Sequence, residues 1–362
     1  MSAPLLRTFS LSLRHGSVCD QKRSGRCWIY ASLNPLRQKI CEKYGCADFF
    51  FSTNHIYYFD QLEKSRAFLA RMLELRELPQ DSPALSALLR EPISSVGQWS
   101  YFASLAKRHG LVPLEAMPDT PASADGTRLT RALGETLRLG AYRIRRGETA
   151  AATLTEIEGL LREALGTPPT DFLWNETVFT PLSFLREAVG ADFGQYVMLM
   201  HHPSDRWPVN RAYHEQADPK RREPLLTMLS VEADTLKALA LRQLREGEQV
   251  VIGCDVRHAA NRAAGELSTE RYGAPKLAKS DAIAYREICA CHVMSIDGRD
   301  DDGRWRVQDS HGAETGPDGH YVMTDDWFDA YVLSAVVQKR YLPPALQKEL
   351  CTPAFMPKTE RF

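Results

Sequence analysis

Hydrophobic residues change their spacing as the chain proceeds. Between about Asp60 and Gly247 they recur at helical intervals, as in Leu62, Leu69 and Leu73, in Leu129, Leu133 and Leu137, and in Leu154, Ile157 and Leu161. Such one-sided recurrence predicts amphipathic helices. Thr153 and Glu156 have the spacing of a capping box, and Gly166 suits a helix stop. Clusters of Pro and Ser at 78–86, 117–126, 166–170 and 201–208 predict the loops between them. From residue 249 onward the texture shifts to short β-rich runs at 249–254, 288–296, 304–308 and 331–337, separated by Asp and Gly. The pattern therefore predicts an α+β chain with a helical front and a sheet-bearing back, facing each other across a cleft.

Composition narrows the function classes. A chain of 362 residues with 44% hydrophobic content can bury a large core. Lys plus Arg number 45 against 46 Asp plus Glu, a net charge of -1, so neither nucleic acid nor an anionic membrane is an expected partner. Two basic clusters, Arg143-Ile144-Arg145-Arg146 and Lys220-Arg221-Arg222, are the only features that point toward phosphates, and such runs ordinarily solvate a helix or loop. The start lacks a sustained apolar segment and no later run approaches a membrane span, so a cytoplasmic protein is expected. Eight cysteines without paired C-x-x-C spacing fit reduced thiols, and no metal or cofactor is expected. His201-His202, in a predicted loop, lacks a third ligand at a supporting spacing and reads as a surface or packing feature.

The first chemical constellation is Gln21-Lys22-Arg23-Ser24-Gly25-Arg26-Cys27-Trp28. It places Gln21 six positions before Cys27, at a Gly-containing turn leading into a helix with Ile29, Leu33, Leu36 and Ile40 on its inner face. A thiol at a helix N-terminus is favoured as thiolate and can attack a carbonyl. The resulting oxyanion needs donors, and a backbone N–H with the Gln21 amide can supply them. Ser24 to Trp28 keeps the Gly-x-Cys-Trp part of the papain nucleophile signature without its first cysteine. Pro35 falls inside this helix, where a missing N–H costs about 3 kcal/mol or kinks the chain.

The second constellation is His292, inside the apolar run 288–296, followed by a turn and a return strand ending at Asp309. A hairpin of this kind would bring Asp309 beside His292, giving the imidazole the third group that fixes its tautomer. Cys289 and Cys291 in the same run are expected to be buried.

These residues resemble the bleomycin hydrolase and aminopeptidase C branch of the papain-like cysteine peptidases. The likeness runs through the Gln21 to Ile29 segment with Leu33-Asn34, Gly97-Gln98-Trp99, His109-Gly110-Leu111-Val112-Pro113, Gly253-Cys254-Asp255-Val256, His292-x-Met294, Trp305-Arg306-Val307 and Met323-Thr324-Asp325-x-Trp327-Phe328. It implies a papain-like two-lobe fold in a single peptidase chain, with core segments at about 11–45, 95–118 and 247–340, helical insertions at 46–94 and 119–246, and a tail at 341–362. It implies Cys27, His292, Asp309 and Gln21 as catalytic residues, Gly97, Gln98 and Trp28 as substrate-binding residues, peptide substrates, aminopeptidase action and a cytosolic homohexamer.

The chain also departs from that family's pattern. Asp309 stands where the family has asparagine, His311 where it has tryptophan and Val96 where it has the first glycine of the substrate loop. The segment before Cys27 is short, and the tail is unlike the family's C-terminal arm. Two alternatives therefore stay open: a weakened or inactive relative serving as an assembly or binding scaffold, and a papain-type endopeptidase.

Overall fold

A computed structural model describes residues 5–14, 16–204, 207–214, 227–316 and 318–355. The predicted nucleophile helix spans Cys27–Tyr44 and buries Ile29, Leu33, Leu36 and Ile40 as its spacing requires. Around it pack the helices Thr53–Leu75, Trp99–His109, Thr127–Arg145 and Ala151–Leu165. No helix among the described residues is long and apolar enough to cross a membrane.

The rear of the chain forms a sheet centred on Val250–Cys254, His292–Arg299, Trp305–Gln308 and Val332–Gln338. Its central strands are antiparallel, with His292 opposite Cys254 and Ser295 opposite both Val251 and Gln308. Residues alternate between two cores, as a pleated strand dictates. Val251 and Val293 join the cluster around the nucleophile helix, whereas Val250, Ile252, Met294 and Ile296 join the cluster beneath helix Ala233–Arg245.

Pro35 finds its compensation at the junction of helix and sheet. A proline four residues after Ala31 withholds the N–H that would bond the Ala31 carbonyl. The Ser295 hydroxyl donates to that carbonyl at 2.9 Å and accepts from Asn34 Nδ2 at 3.3 Å. The interrupted helix is thus fastened to the histidine strand at the gap in its own hydrogen-bond ladder. Ser295→Ala is expected to cost about 1–3 kcal/mol by leaving a buried carbonyl unpaired. Pro35→Ala in the same background should return part of it; denaturant unfolding with no loss in Ser295→Ala would refute this account.

Three expectations need correction. The stretch 119–246 is not a purely helical insertion: Phe172–Trp174 and Thr177–Phe179 form a hairpin, and Tyr196–Met200, Arg211–His214 and Thr227–Ser230 extend the main sheet. The apolar runs Tyr196–Met200 and Thr227–Ser230 are short and buried on both faces, so they carry neither helical nor alternating periodicity. Helix Ala151–Leu165 begins before Thr153, which caps nothing and instead packs buried against Gly140, while Gly166 ends the helix as expected. The histidine strand begins at His292 instead of Ile288, and Cys289 and Cys291 are exposed. Asp255 explains that shift, because its carboxylate accepts from Cys289 N at 3.0 Å and lies 3.3 Å from Cys291 Sγ, drawing this segment off the sheet.

Candidate active site

Cys27 is the first residue of its helix and is half-buried. Gly25 enters the turn with φ of 70°, a conformation that favours glycine, and a side chain there would press on Ser95. Arg26 is fully buried, with its guanidinium 4.1 Å from the Tyr57 ring and its Nη1 donating to Asn54 Oδ1 at 2.6 Å. The helix start is therefore pinned from both sides.

Backbone pairing brings the two constellations together. Gln21 N donates to Ser310 O at 2.7 Å and Gly312 N to Cys19 O at 3.0 Å, so the segment before the nucleophile runs antiparallel to the segment after Asp309. Gln21, 5% exposed, is held beside His311 by this arrangement.

Four side chains then line up behind the thiol. The Cys27 thiol lies close enough to the His292 imidazole to raise its pKa. His292 Nε2 lies 2.7 Å from Asp309 Oδ1. Asp309 also accepts from Ser310 N at 2.8 Å, Thr315 Oγ1 at 2.5 Å and His311 Nδ1 at 3.0 Å. A carboxylate only accepts, so His292 Nε2 and His311 Nδ1 carry the protons. His292 keeps Nδ1 for the thiol, and the neutral His311 ring keeps the Nε2 lone pair, which accepts from Gln21 Nε2 at 3.0 Å. His292 and the Gln21 amide are thereby joined through Asp309 and His311.

Burial favours the neutral imidazole of His292. Hydrogen bonds to Asp309 and Cys27, with their charges, outweigh burial and raise its pKa to about 10. Burial likewise opposes ionisation of Asp309, yet hydrogen bonds from His292 and His311, with the charge of His292, hold its carboxyl far below the usual range. The site is built to keep a cationic imidazole beside the Asp309 carboxylate. Ligand atoms of His292, Asp309 and His311 lie within 4.8 Å of one another, a spacing that could hold an ion, but Asp309 already takes a hydrogen bond from each ring.

The expected substrate residues fall on one loop and its support. Gly97 lies on the Trp28 indole so closely that a side chain would overlap the ring, and Gln98 caps helix Trp99–His109. Trp28 is 1% exposed, so its indole supports the loop from beneath; its Nε1 donates to Ser95 O at 3.1 Å. Val96, where a glycine was expected, points outward and is exposed.

Sequence reasoning missed the clamp on this loop. Lys64 Nζ donates to Ser94 O at 3.0 Å and Val96 O at 2.8 Å while pairing with buried Asp60 at 2.8 Å. The four-residue spacing of Asp60 and Lys64 marks a helical ion pair, but nothing local shows that the lysine reaches a loop some thirty residues away. Arg143 pairs with Glu156 at 2.8 Å and Arg145 donates to Leu78 O, so that basic cluster serves packing, while the cluster at 220–222 lies outside the described residues. His201 is buried with Nδ1 against Val231 O, a packing role as read.

Comparison with known proteins agrees in both sequence and shape. The Peptidase C1-like family matches residues 2–356. Aminopeptidase E of Lactobacillus helveticus is 32% identical, with the alignment covering 97% of this chain and 87% of the relative. Aminopeptidase C of Lactococcus lactis subsp. cremoris is also 32% identical, with 93% and 84% covered. Among solved structures, PepW from Lactobacillus rhamnosis HN001 superposes with a TM-score of 0.90 at 30% identity, covering 97% of this chain and 87% of that one.

Proposed function

The chain belongs to the Peptidase C1-like family of cysteine peptidases with a papain-like fold, and from that premise we propose that it removes N-terminal residues from peptides, with Cys27 as nucleophile, His292 as its proton partner and Asp309 orienting His292. The observation that carries this reading is the His292 imidazole set between the Cys27 thiol, which acts on its ionisation, and the Asp309 carboxylate 2.7 Å from its Nε2.

Cys27 attacks the scissile carbonyl, and the developing oxyanion is met by the backbone at the helix start and by the Gln21 amide. His292 gives its proton to the departing amine. Water, deprotonated by the same imidazole, then hydrolyses the thioester and frees the thiol. Gly97 and Gln98 flank the substrate chain.

The aminopeptidase part is supported by the names borne by the aminopeptidases E and C. The test compares coumarin amides with a free and an acetylated α-amino group. Free-amine substrates should be cleaved at least tenfold more efficiently; efficient cleavage of blocked ones would turn the assignment to an endopeptidase. A cytosolic homohexamer is part of the same proposal. The exposed apolar Leu173 and Val178 on the hairpin 172–179 offer surface for such self-association, and sedimentation as a monomer would remove the hexamer.

His311 enters as a positioning residue. Its Nε2 is the acceptor for the Gln21 amide, so without it the amide is free to turn. His311→Ala is expected to lower kcat about tenfold with KM within about twofold, short of the 10²–10³ typical of deleting an oxyanion donor. His311→Gln should recover part of the loss. A KM effect with unchanged kcat would count against this role.

A further inference from the structure

Beside the nucleophile turn the surface opens into a cavity of about 490 Å³. Ser24 and Gly25, just before Cys27, form one wall, and Ser95, just before Gly97, forms its neighbour. The far side is built by segment 90–93 and the helix Thr127–Arg145. Four arginines line the space, Arg23, Arg90, Arg131 and Arg138, together with Glu91 and Glu135. The cavity thus carries an excess of two positive charges on a chain whose net charge is -1.

The arginines are only partly committed. Arg138 donates to the carbonyls of Leu89 and Arg90, which uses its hydrogens but leaves its charge unpaired. Arg23 is 3.7 Å from Asp125 with 80% of its side chain exposed. Arg90 and Arg131 have no ion-pair partner among the described residues, although Glu91 and Glu135 share the cavity.

Resting on the peptidase reading above, we propose that this cavity receives the side chain of the residue whose carbonyl is attacked, and that its arginines select an acidic side chain, glutamate above aspartate. That carbonyl has to lie over Cys27 with its oxygen toward Gln21, while the substrate chain passes Gly97. The side chain of the same residue then points between the nucleophile turn and the Ser95 segment, into the cavity they wall. A glutamate carboxylate entering there gains Arg131 and Arg90 as partners; a lysine meets their repulsion. These are solvent-exposed charges, so their contribution is screened by salt.

The experiment reads turnover and binding separately. For the wild-type chain, kcat/KM on the N-terminal glutamate coumarin amide should exceed that on the isosteric glutamine amide by about tenfold at low salt, shrinking as salt rises. The Arg90→Glu, Arg131→Glu double variant should bring the ratio to one or below. In parallel, the Cys27→Ala chain should bind Glu-Ala-Ala more tightly than Gln-Ala-Ala and Lys-Ala-Ala by the same margin. Binding by the alanine variant decides the cavity assignment even if no amide is cleaved, an outcome that would defeat the peptidase reading alone. Equal affinity for the three peptides, or a glutamate preference that survives the double charge reversal, overturns the proposal.

Discussion

Cys27→Ala is expected to abolish turnover, lowering kcat by at least about a thousandfold on every amide substrate while leaving the fold intact. The side chain is half-buried at the first position of its helix, so loss of one sulfur opens no large core cavity. The chemistry has no substitute nearby. Cys254, behind His292, is fully buried and burial pushes its thiol pKa well upward. Cys291 is exposed as a residue, but its sulfur is partly shielded beside the Asp255 carboxylate, and that desolvation together with the charge raises it to about 11. Neither is a thiolate at neutral pH. An epoxide directed at reactive thiols should therefore label the wild-type chain once and the alanine variant not at all. Undiminished turnover in Cys27→Ala would remove the mechanism, and a wild-type chain that never labels selectively would favour an inert scaffold.

How far the site was legible follows from how local each signal is. Cys27, Gln21 and the inner face of their helix are written within some twenty consecutive residues, and helical spacing alone sets which of them are buried. The meeting of His292 and Asp309 needed only a hairpin, whose turn chemistry is visible between them. Pro35 looked anomalous because its compensation, Ser295, comes from a strand far along the chain. Lys64 was invisible for the same reason, and so was the course of the strands at 196–230, whose apolar runs lack a period. Where partners are close in sequence or repeat at a fixed interval the residues declare their role; where an atom on one element completes another, only the folded chain reveals it.

Asp309 and His311 are best understood as one substitution, and the largest pH effect is expected there. With the carboxylate present, His292 is raised to about 10, so its imidazolium persists over neutral pH and the alkaline limit of activity is expected near pH 10. Asp309→Asn removes a negative charge beside the ring, and the alkaline limb of kcat/KM should move down by at least one pH unit. Stability should follow with the same sign. A histidine raised above its unfolded value near 6.5 stabilises the fold fully below that pH and loses the contribution as pH climbs toward 10. Thermal unfolding of the wild type should therefore weaken across that window, and the asparagine variant should show a flatter profile. The amide has a second consequence. With its Oδ1 still accepting from His292 Nε2, its nitrogen would face His311 Nδ1 and the Thr315 hydroxyl as a donor, forcing the His311 proton onto Nε2. That proton would confront the Gln21 amide, itself a donor at 3.0 Å, and disturb the group meant for the oxyanion. Asp309→Asn alone should thus lower kcat about ten- to a hundredfold at neutral pH. The Asp309→Asn, His311→Trp pair should recover much of it, because a ring without a titrating nitrogen no longer transmits the change to Gln21. An unchanged pH profile in the single variant would show that the carboxylate charge does not govern His292. Additive losses in the pair would show that Asp309 and His311 act independently.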